Sequence, residues 1–256
     1  MAPPRGLSAE PRELDDDEVT VVAARDPLTA QSVSLRVPET AVIALGTAVA
    51  VHQRLGQEID DWCVTGPPAD TEALFRALLA RGTHESGSLP WAAVESLARD
   101  VAVDEVSRWD FRWTDEAPPP VSPKVPGPAP AWLDPTERAE VQRLLDAAFP
   151  TAALQVADPE VRRWAGVRDA EGALVACAAD ASTAPTLGFI TSIGCAEKAR
   201  GQGYGAAVTA FATAELVRER GRAGLWAYHS NRGAARVYDW LGYRDDHWMA
   251  WFTVPI

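Results

Sequence analysis

The sequence predicts an α/β (α+β) protein in which a mixed central sheet with flanking helices is preceded by a smaller α+β domain. The chain has 256 residues, of which 47% are hydrophobic and 23% charged, as in folded globular proteins. Seven prolines fall within residues 117–131, a density that disfavours helices and favours extended polyproline II. We therefore expect a first domain at 1–117, a proline-rich linker at 118–130 and a second domain at 131–256. A long ordered loop within one domain is the alternative.

The first elements of the N-terminal domain are assigned from composition and hydrophobic periodicity. Residues 18–24 and 32–38 have the composition of short strands. The apolar run at 40–56 is compatible with a buried strand or a helix, which periodicity does not distinguish. No motif that carries chemistry occurs in this part of the chain.

The remaining elements of this domain have clearer signals. A helical stripe of apolar residues predicts a helix capped by Asp70 or Thr71 and closed by Gly82. A second helix is expected at 90–100. Residues 106–115 alternate between apolar and polar side chains, which predicts a half-buried strand.

The C-terminal domain begins with a helix signal. Asp134 is the predicted cap, Pro135 takes the first helical position, and Glu137 follows three residues after the cap. A β-hairpin is predicted from 163–169 and 173–180. The elements expected after it are a strand, a glycine-rich turn and a long helix at 186–221, a strand at 224–230, a helix at 232–243 and a strand at 247–254.

The glycine-rich turn, residues 200–205, has the pattern of a phosphate-binding site. Amides at a helix start point outward together at the positive end of the helix dipole, and glycines allow a phosphate to approach the backbone. No Lys follows the glycines as in a P-loop, and the spacing is GxGxG rather than the GxGxxG of dinucleotide-binding folds. Both nucleotide-binding classes are therefore excluded, whereas a tight turn into a helix remains an alternative.

The turn and its surroundings resemble the GNAT N-acetyltransferase superfamily over about the last 125 residues. The central motif of that family, Arg or Gln, two residues, Gly, one residue, then Gly or Ala, matches Arg200-Gly201-Gln202-Gly203-Tyr204-Gly205. Upstream, Ile193-Gly194-Cys195 lies where the family has a strand end. Downstream, the second motif is matched by Asn231, Ala234, Val237, Tyr238, Gly242 and Tyr243. Glu197 stands where many members have Pro.

The resemblance implies that acetyl coenzyme A binds between two separated parallel strands, at 188–195 and 224–230. The implied roles are an amide of Ile193 on the thioester carbonyl and an amide of Cys195 on pantetheine. The pyrophosphate would be held by the amides from Gln202 to Gly205 with the Arg200 side chain. The cofactor-binding residues implied are Ile193, Cys195, Arg200, Gly201, Gln202, Gly203, Tyr204, Gly205 and Asn231, and no metal is expected.

The resemblance also assigns the general acid. Tyr238 matches the residue that gives a proton to the leaving thiolate, although a purely packing role is the alternative. Asn231 could cap the following helix instead of contacting the cofactor. Cys195 is expected to be a small buried residue rather than a nucleophile. His229 and Tyr228 lie on opposite faces of their strand, so at most one faces the acceptor, and no general base is assigned.

The charge distribution bears on partners. Residues 1–130 carry 11 basic and 21 acidic side chains and residues 131–256 carry 13 and 15, net −10 and −2. Nucleic acid is excluded because no basic footprint exists, and the longest apolar run is too short to span a membrane. An acidic surface could attract a cationic acceptor. We expect a small-molecule or peptide amine as acceptor and a possible homodimer.

Three further expectations concern compartment and function. The N-terminus lacks the apolar region of a secretory signal, so a cytoplasmic location is expected. The three cysteines form no CxxC pair and are expected to be reduced. The function expected is acetyl-CoA-dependent transfer of an acetyl group to a primary amine. A non-catalytic acyl-CoA sensor and a tandem GNAT protein with a degenerate N-terminal copy are the alternatives.

Overall fold

A computed structural model describes residues 10–56, 59–82, 86–125 and 127–255 of the protein. The chain forms two compact units. Unit 1 is the described part of Met1–Phe111, Ala227–Arg232 and Asp245–Ile256, and unit 2 consists of Arg112–Trp226 and Gly233–Arg244. No helix within the described ranges is long and apolar enough to cross a membrane.

Unit 1 is a mixed sheet with helices. Its strands have the order β1-β2-β3-β4-β5-β12, antiparallel except for the parallel pair β4 and β5. Its helices are α1 (Asp16–Arg25), α2 (Pro27–Ser34), α3 (Pro68–Ala80) and α4 (Trp91–Leu97). The strands are β1 (Arg12–Glu13), β2 (Ile43–Leu45), β3 (Ala48–Leu55), β4 (Ile59–Thr65), β5 (Ser86–Pro90), β6 (Asp104–Thr114) and β12 (Arg244–Thr253), with β6 and β12 also contributing residues to unit 2.

The strands predicted at 18–24 and 32–38 are wrong, because these residues belong mainly to helices α1 and α2. Asp15 accepts a hydrogen bond from the Glu18 amide and Glu18 accepts one from the Asp15 amide, which forms a capping box. Asp26 likewise caps α2, before Pro27. Two satisfied helix starts outweigh the β propensity of the valines that follow.

The ambiguous run at 40–56 forms a β-hairpin. Strands β2 and β3 pair in antiparallel register around Gly46, whose φ is 58°. The next strand, β4, and strand β5 were not predicted. The helix predicted from Asp70 or Thr71 is confirmed as α3, but it begins at Pro68, so neither residue is its cap.

The core of unit 1 lies between α3, α4 and one face of the sheet. Phe75 and Phe252 are fully buried with ring centroids 5.2 Å apart. Strand β12 completes this sheet, because Met249–Thr253 pair with β5. The C-terminal strand therefore belongs to the same compact unit as residues 10–111.

Unit 2 has mixed strand pairing, in which β11 and β10 are parallel and β10, β9, β8 and β7 are antiparallel. The strands are β7 (Ala131–Trp132), β8 (Arg163–Arg168), β9 (Leu174–Asp180), β10 (Gly188–Cys195) and β11 (Ala223–Tyr228), the last with two residues in unit 1. The helices are α5 (Arg138–Ala148), α6 (Tyr204–Arg220) and α7 (Arg232–Trp240), with 3-10 turns at Pro135–Glu137 and Glu197–Ala199.

The predicted elements of the C-terminal half are confirmed. Asp134 and Glu137 form the expected capping box, and α5 follows one turn later. Helix α6 lies close on β10, because a Cβ added at Gly188 would be 2.4 Å from the Cβ of Leu216. The predicted domain ranges 1–117, 118–130 and 131–256 stay a prediction.

The two units repeat one order of elements. In unit 2 the parallel strands β10 and β11 are joined by α6, and in unit 1 the parallel strands β4 and β5 are joined by α3. Each parallel pair is preceded by an antiparallel hairpin. The strand, helix, parallel strand unit is therefore present twice in the chain.

Candidate active site

The parallel strands of unit 2 pair only at their beginnings. Gly188, Phe189 and Ile190 are in register with residues 223–225, and the parallel ladder ends there although β10 continues to Cys195. Backbone amides and carbonyls of the separated segment are therefore left for another partner, such as an extended chain with amide groups.

A β-bulge lies within the separated part of β10. Thr191 pairs with Ala179 and Gly194 with Cys177, so Ser192 and Ile193 together face a single residue of β9. Ser192 has a φ of 49°, a left-handed conformation that a non-glycine residue adopts at an energetic cost.

The Ser192 side chain holds the bulge in place. Its Oγ donates to the Leu154 carbonyl at 2.7 Å and accepts from the Leu154 amide at 3.2 Å. These two hydrogen bonds offset the backbone strain. In a regular strand, successive backbone amides point alternately to the two neighbouring strands. The bulge interrupts this alternation at Ile193, the residue whose amide is predicted to bind the thioester.

The glycine turn lies at the end of the same strand. Gly201 and Gly203 have φ values of 72° and 94°, and Gly203 is the residue before the first turn of α6. A Cβ at Gly201 would meet no atom within 4 Å, so this side of the turn is open. Tyr204 is buried, whereas Gly205 directs its amide to the Cys195 sulfur.

The other side of the turn is covered by the proline-rich segment. The Lys124 amide donates to the Gln202 carbonyl oxygen at 2.8 Å. A Cβ at Gly203 would lie 3.4 Å from the Pro123 Cα. Residues 122–124 are therefore part of the wall around the turn, a contact that no local sequence signal indicates.

Two predicted side chains bind backbone carbonyls around the turn. The Arg200 guanidinium donates to the Cys195 carbonyl at 3.3 Å and to the Ala148 carbonyl at 3.2 Å. The Gln202 side chain donates to the Lys198 carbonyl at 2.9 Å. Both side chains fix the shape of the turn, and Arg200 links the strand end to the end of α5.

Cys195 is half-buried rather than fully buried as expected, but its thiol is still shielded from solvent enough to shift its pKa. Burial raises its pKa, and the charge of Arg200 and the Gly205 amide only partly oppose this. A thiol with a raised pKa is a poor nucleophile. All three cysteines, Cys63, Cys177 and Cys195, are free thiols.

Tyr238, the predicted general acid, lies on α7 in unit 2. Its side chain is buried. Burial raises the pKa of Tyr238 to about 12, against a smaller opposing effect of the Arg112 charge. The hydroxyl therefore keeps its proton at neutral pH. Arg112 in turn contacts Asp239 at 2.5 Å.

The two candidate bases lie in different surroundings. Tyr228 is 60% exposed. The His229 Nδ1 lies 3.0 and 3.2 Å from the two carboxylate oxygens of Asp110, and its Nε2 lies 3.1 Å from the Arg232 guanidinium. His229 is therefore held on both ring nitrogens within unit 1. Asn231 is exposed one residue before α7, and its amide donates to the Tyr228 carbonyl at 2.8 Å.

Sequence and structure comparisons give consistent results. Residues 166–252 match the family model of the FR47-like proteins. The chain has no significant match among curated proteins. Structures similar to the whole chain include GCN5-related N-acetyltransferases from Kribbella flavida and Sphaerobacter thermophilus. The Kribbella flavida protein has 20% identity and a TM-score of 0.58, over 93% of this chain and 95% of that one. The Sphaerobacter thermophilus protein has 16% identity and a TM-score of 0.58, over 95% of this chain and 94% of that one.

A tandem GNAT protein from the clavulanic acid biosynthesis pathway is similar as well. Its identity is 14% and its TM-score 0.50, over 96% of this chain and 98% of that one. At these identities the likeness establishes the fold. The similarity covers both halves of the chain, in agreement with the repeated order of elements in the two units.

Proposed function

Because the C-terminal part of the chain is a GNAT-type, FR47-like domain, we propose that the protein transfers the acetyl group of acetyl-CoA to a primary amine. The observation that carries the proposal is the end of the parallel ladder at Ile190 and Leu225, beside the open glycine turn. An enclosed, fully paired sheet would leave no backbone groups for the cofactor.

The residues of unit 2 fit the cofactor. Acetyl-CoA supplies, when bound, an activated thioester at the end of an extended pantetheine chain. The turn offers backbone amides to a phosphate, and it is open at Gly201, where an added Cβ would meet no atom within 4 Å. The separated part of β10, ending at Cys195, would bind pantetheine as an added strand pairs with a sheet edge.

The chain's own residues would assist the transfer in two ways. The Ile193 amide, directed by the bulge, would donate a hydrogen bond to the thioester carbonyl oxygen as negative charge develops on it. The Tyr238 hydroxyl would give its proton to the sulfur as the C–S bond breaks. The attacking amine must reach the carbonyl as the free base, and no residue is assigned to deprotonate it.

A sensor that binds acyl-CoA without turnover is the second candidate. Its support is that His229, a candidate base, has both ring nitrogens engaged. The presence of the Tyr238 hydroxyl favours the enzyme, because a pure sensor needs no proton donor.

Two measurements test the proposal. Calorimetry with coenzyme A tests cofactor binding, and release of free thiol from acetyl-CoA across a panel of primary amines tests transfer. Tyr238→Phe should lower the turnover number at least tenfold and leave the affinity for coenzyme A unchanged. Binding without thiol release for any amine would favour the sensor, and no binding of coenzyme A would contradict both functions.

A further inference from the structure

We propose that unit 1 has a ligand site of its own, a cavity that binds a small organic cation. The cavity has a volume of 1270 Å³ and lies wholly among residues of unit 1. The proposal goes beyond acetyl transfer and does not depend on it.

The cavity lies where the parallel strands of unit 1 separate. Strands β4 and β5 are in parallel register only at Trp62 with Gly87 and Cys63 with Ser88. Residues that follow these pairs line the cavity, including Thr65 at the end of β4 and Pro90 and Trp91 at the end of β5. Unit 1 thus has an opening at the same point of its strand, helix, strand repeat as unit 2.

The helix start at this opening is unsuited to a phosphate. Pro67 and Pro68, at the cap and the first position of α3, have no amide N–H to donate. Asp70 lies in the first turn, and its carboxylate accepts hydrogen bonds from the amide and hydroxyl of Thr47 at 2.9 and 2.8 Å. The start of α3 therefore has the Asp70 carboxylate where an anion would require free amides. Unit 1 lacks the phosphate-binding chemistry predicted for the glycine turn.

The lining is acidic. Carboxylates outnumber guanidinium groups by five to two, and one of the two, Arg12, is paired with Glu18 at 2.8 Å. Arg25 is the second. The five carboxylates are Asp17, Glu18, Asp26, Glu95 and Asp246. Glu95 is paired at 3.1 Å with Arg108, which lies outside the lining, and the charge around the cavity is still net negative. A concave surface with net negative charge favours a cation over an anion.

One wall combines charge with an aromatic surface. The His247 Nε2 lies 2.6 Å from Asp26 and its Nδ1 lies 2.7 Å from Asp246. Even with a protonated imidazole, these three groups carry a net negative charge. The adjacent Trp248 is 50% exposed, and its ring centroid is 5.6 Å from that of Trp91.

Trp248 is the indole that offers an exposed face to a ligand, because the Arg108 guanidinium already lies 4.5 Å from the Trp91 ring centroid. An indole beside carboxylates is a common setting for a bound ammonium group. The aromatic face attracts a cation, and the carboxylates supply its hydrogen-bond acceptors. The Trp248 indole N–H donates to Asp245 at 2.8 Å, which fixes the orientation of the ring. The class of ligand that matches this wall is a small alkylamine or diamine.

The test is calorimetric titration of the full-length protein with 1,4-diaminobutane, followed by pyrophosphate as the anionic probe. We expect the diamine to bind, and Asp246→Asn and Trp248→Ala each to weaken it at least fivefold. The matched control is Trp240→Ala, because Trp240 is 65% exposed in unit 2 and should leave diamine binding unchanged. Folding of each variant is checked by its thermal transition.

Several outcomes would overturn the proposal. They are the absence of diamine binding, equal affinity for the diamine in the two cavity variants and the wild-type protein, and pyrophosphate binding that Trp248→Ala weakens, which would place the anion in the cavity rather than at the glycine turn. Coenzyme A affinity is measured in the same variants and should not change. A failed diamine titration with intact coenzyme A binding would therefore refute this site alone.

Discussion

The Lys124 amide donates a hydrogen bond to the carbonyl oxygen of Gln202 at 2.8 Å, which joins the proline-rich segment to the glycine turn of unit 2. The two residues are far apart in the sequence, and Pro123 lies against Gly203 beside them. The segment therefore supports the turn that we assign to the pyrophosphate.

Replacing Lys124 by Pro removes this donor and should loosen the turn. One hydrogen bond contributes about 1 kcal/mol, so we expect roughly a fivefold weaker affinity for coenzyme A by calorimetry. Lys124→Ala is the control, because it keeps the amide and removes only the side chain. Equal affinities in the two variants would show that the contact does not support the turn.

The raised pKa of Tyr238 predicts how the proposed acetyl transfer depends on alkaline pH. Because burial raises this pKa to about 12, the hydroxyl stays protonated over the whole range in which the protein can be assayed. The turnover number should not fall between pH 8 and about pH 10 through loss of this proton. A falling limb in that range, if absent in Tyr238→Phe, would show that the hydroxyl ionises earlier.

The hydroxyl of Ser192 should be needed to hold the bulge. Ser192→Gly removes both side-chain hydrogen bonds to Leu154, and glycine adopts the φ of 49° at this position without strain. We expect a loss of about 1 to 3 kcal/mol in the free energy of unfolding and a lower turnover number. Ser182→Gly, near another turn of unit 2, serves as a comparison. It should lower the free energy of unfolding without a separate effect on the turnover number. An unchanged transition in Ser192→Gly would contradict this role.

The ion pair of His247 and Asp26 predicts a pH-dependent stability of unit 1. Burial alone would lower the pKa of His247, but the Asp26 and Asp246 carboxylates raise it. Burial alone would raise the pKa of Asp26, but His247 lowers it. The stabilisation by His247 is complete below its unfolded pKa of about 6.5 and is lost as pH rises through the folded pKa.

For Asp26 the sign is opposite. Its stabilisation is present above an unfolded pKa of about 3.9 and is lost as pH falls through the folded value. His247→Gln should therefore cost about 1 to 2 kcal/mol near pH 5.5 and less near pH 9, measured by denaturant unfolding. A pH-independent difference between His247→Gln and the wild-type protein would refute the pair's contribution.

The C-terminal strand should stabilise unit 1. Phe252→Ala removes a fully buried ring that packs edge-on against Phe75, and such truncations cost about 3 to 5 kcal/mol. Limited proteolysis should then cut first within residues 10–111. Thr253→Ala, on the same strand, should leave the cleavage pattern unchanged, and cleavage beginning in unit 2 would argue against the assignment of β12 to unit 1.

Local signals predicted the C-terminal half well. Three features of this half depend on residues close together in the sequence. They are the capping box of Asp134 and Glu137, the β8–β9 hairpin, and the order of strand, glycine turn and helix. The same kind of signal was available at Asp15 and Glu18, but the valines after it favoured a strand by propensity. A satisfied cap is the stronger indicator when the two disagree.

Other features depend on contacts between distant residues. The bulge at Ser192 requires Leu154, and the wall of the turn requires residues 122–124. Pro67 and Pro68 stand at the start of α3, where unit 2 has its glycine turn, so the order of the elements is what shows the repeat in unit 1. The expected site residues were named from motifs, and their roles stay a prediction.

Strand β12 sets a limit on how the protein can form during synthesis. The sheet of unit 1 takes its sixth strand from residues that the ribosome makes after all of unit 2. Residues 10–111 must therefore wait, with the edge of β5 unpaired, until residue 253 has been added, and such an edge is open to pairing with other chains. We expect the nascent N-terminal half to depend on chaperones or on rapid completion of the chain.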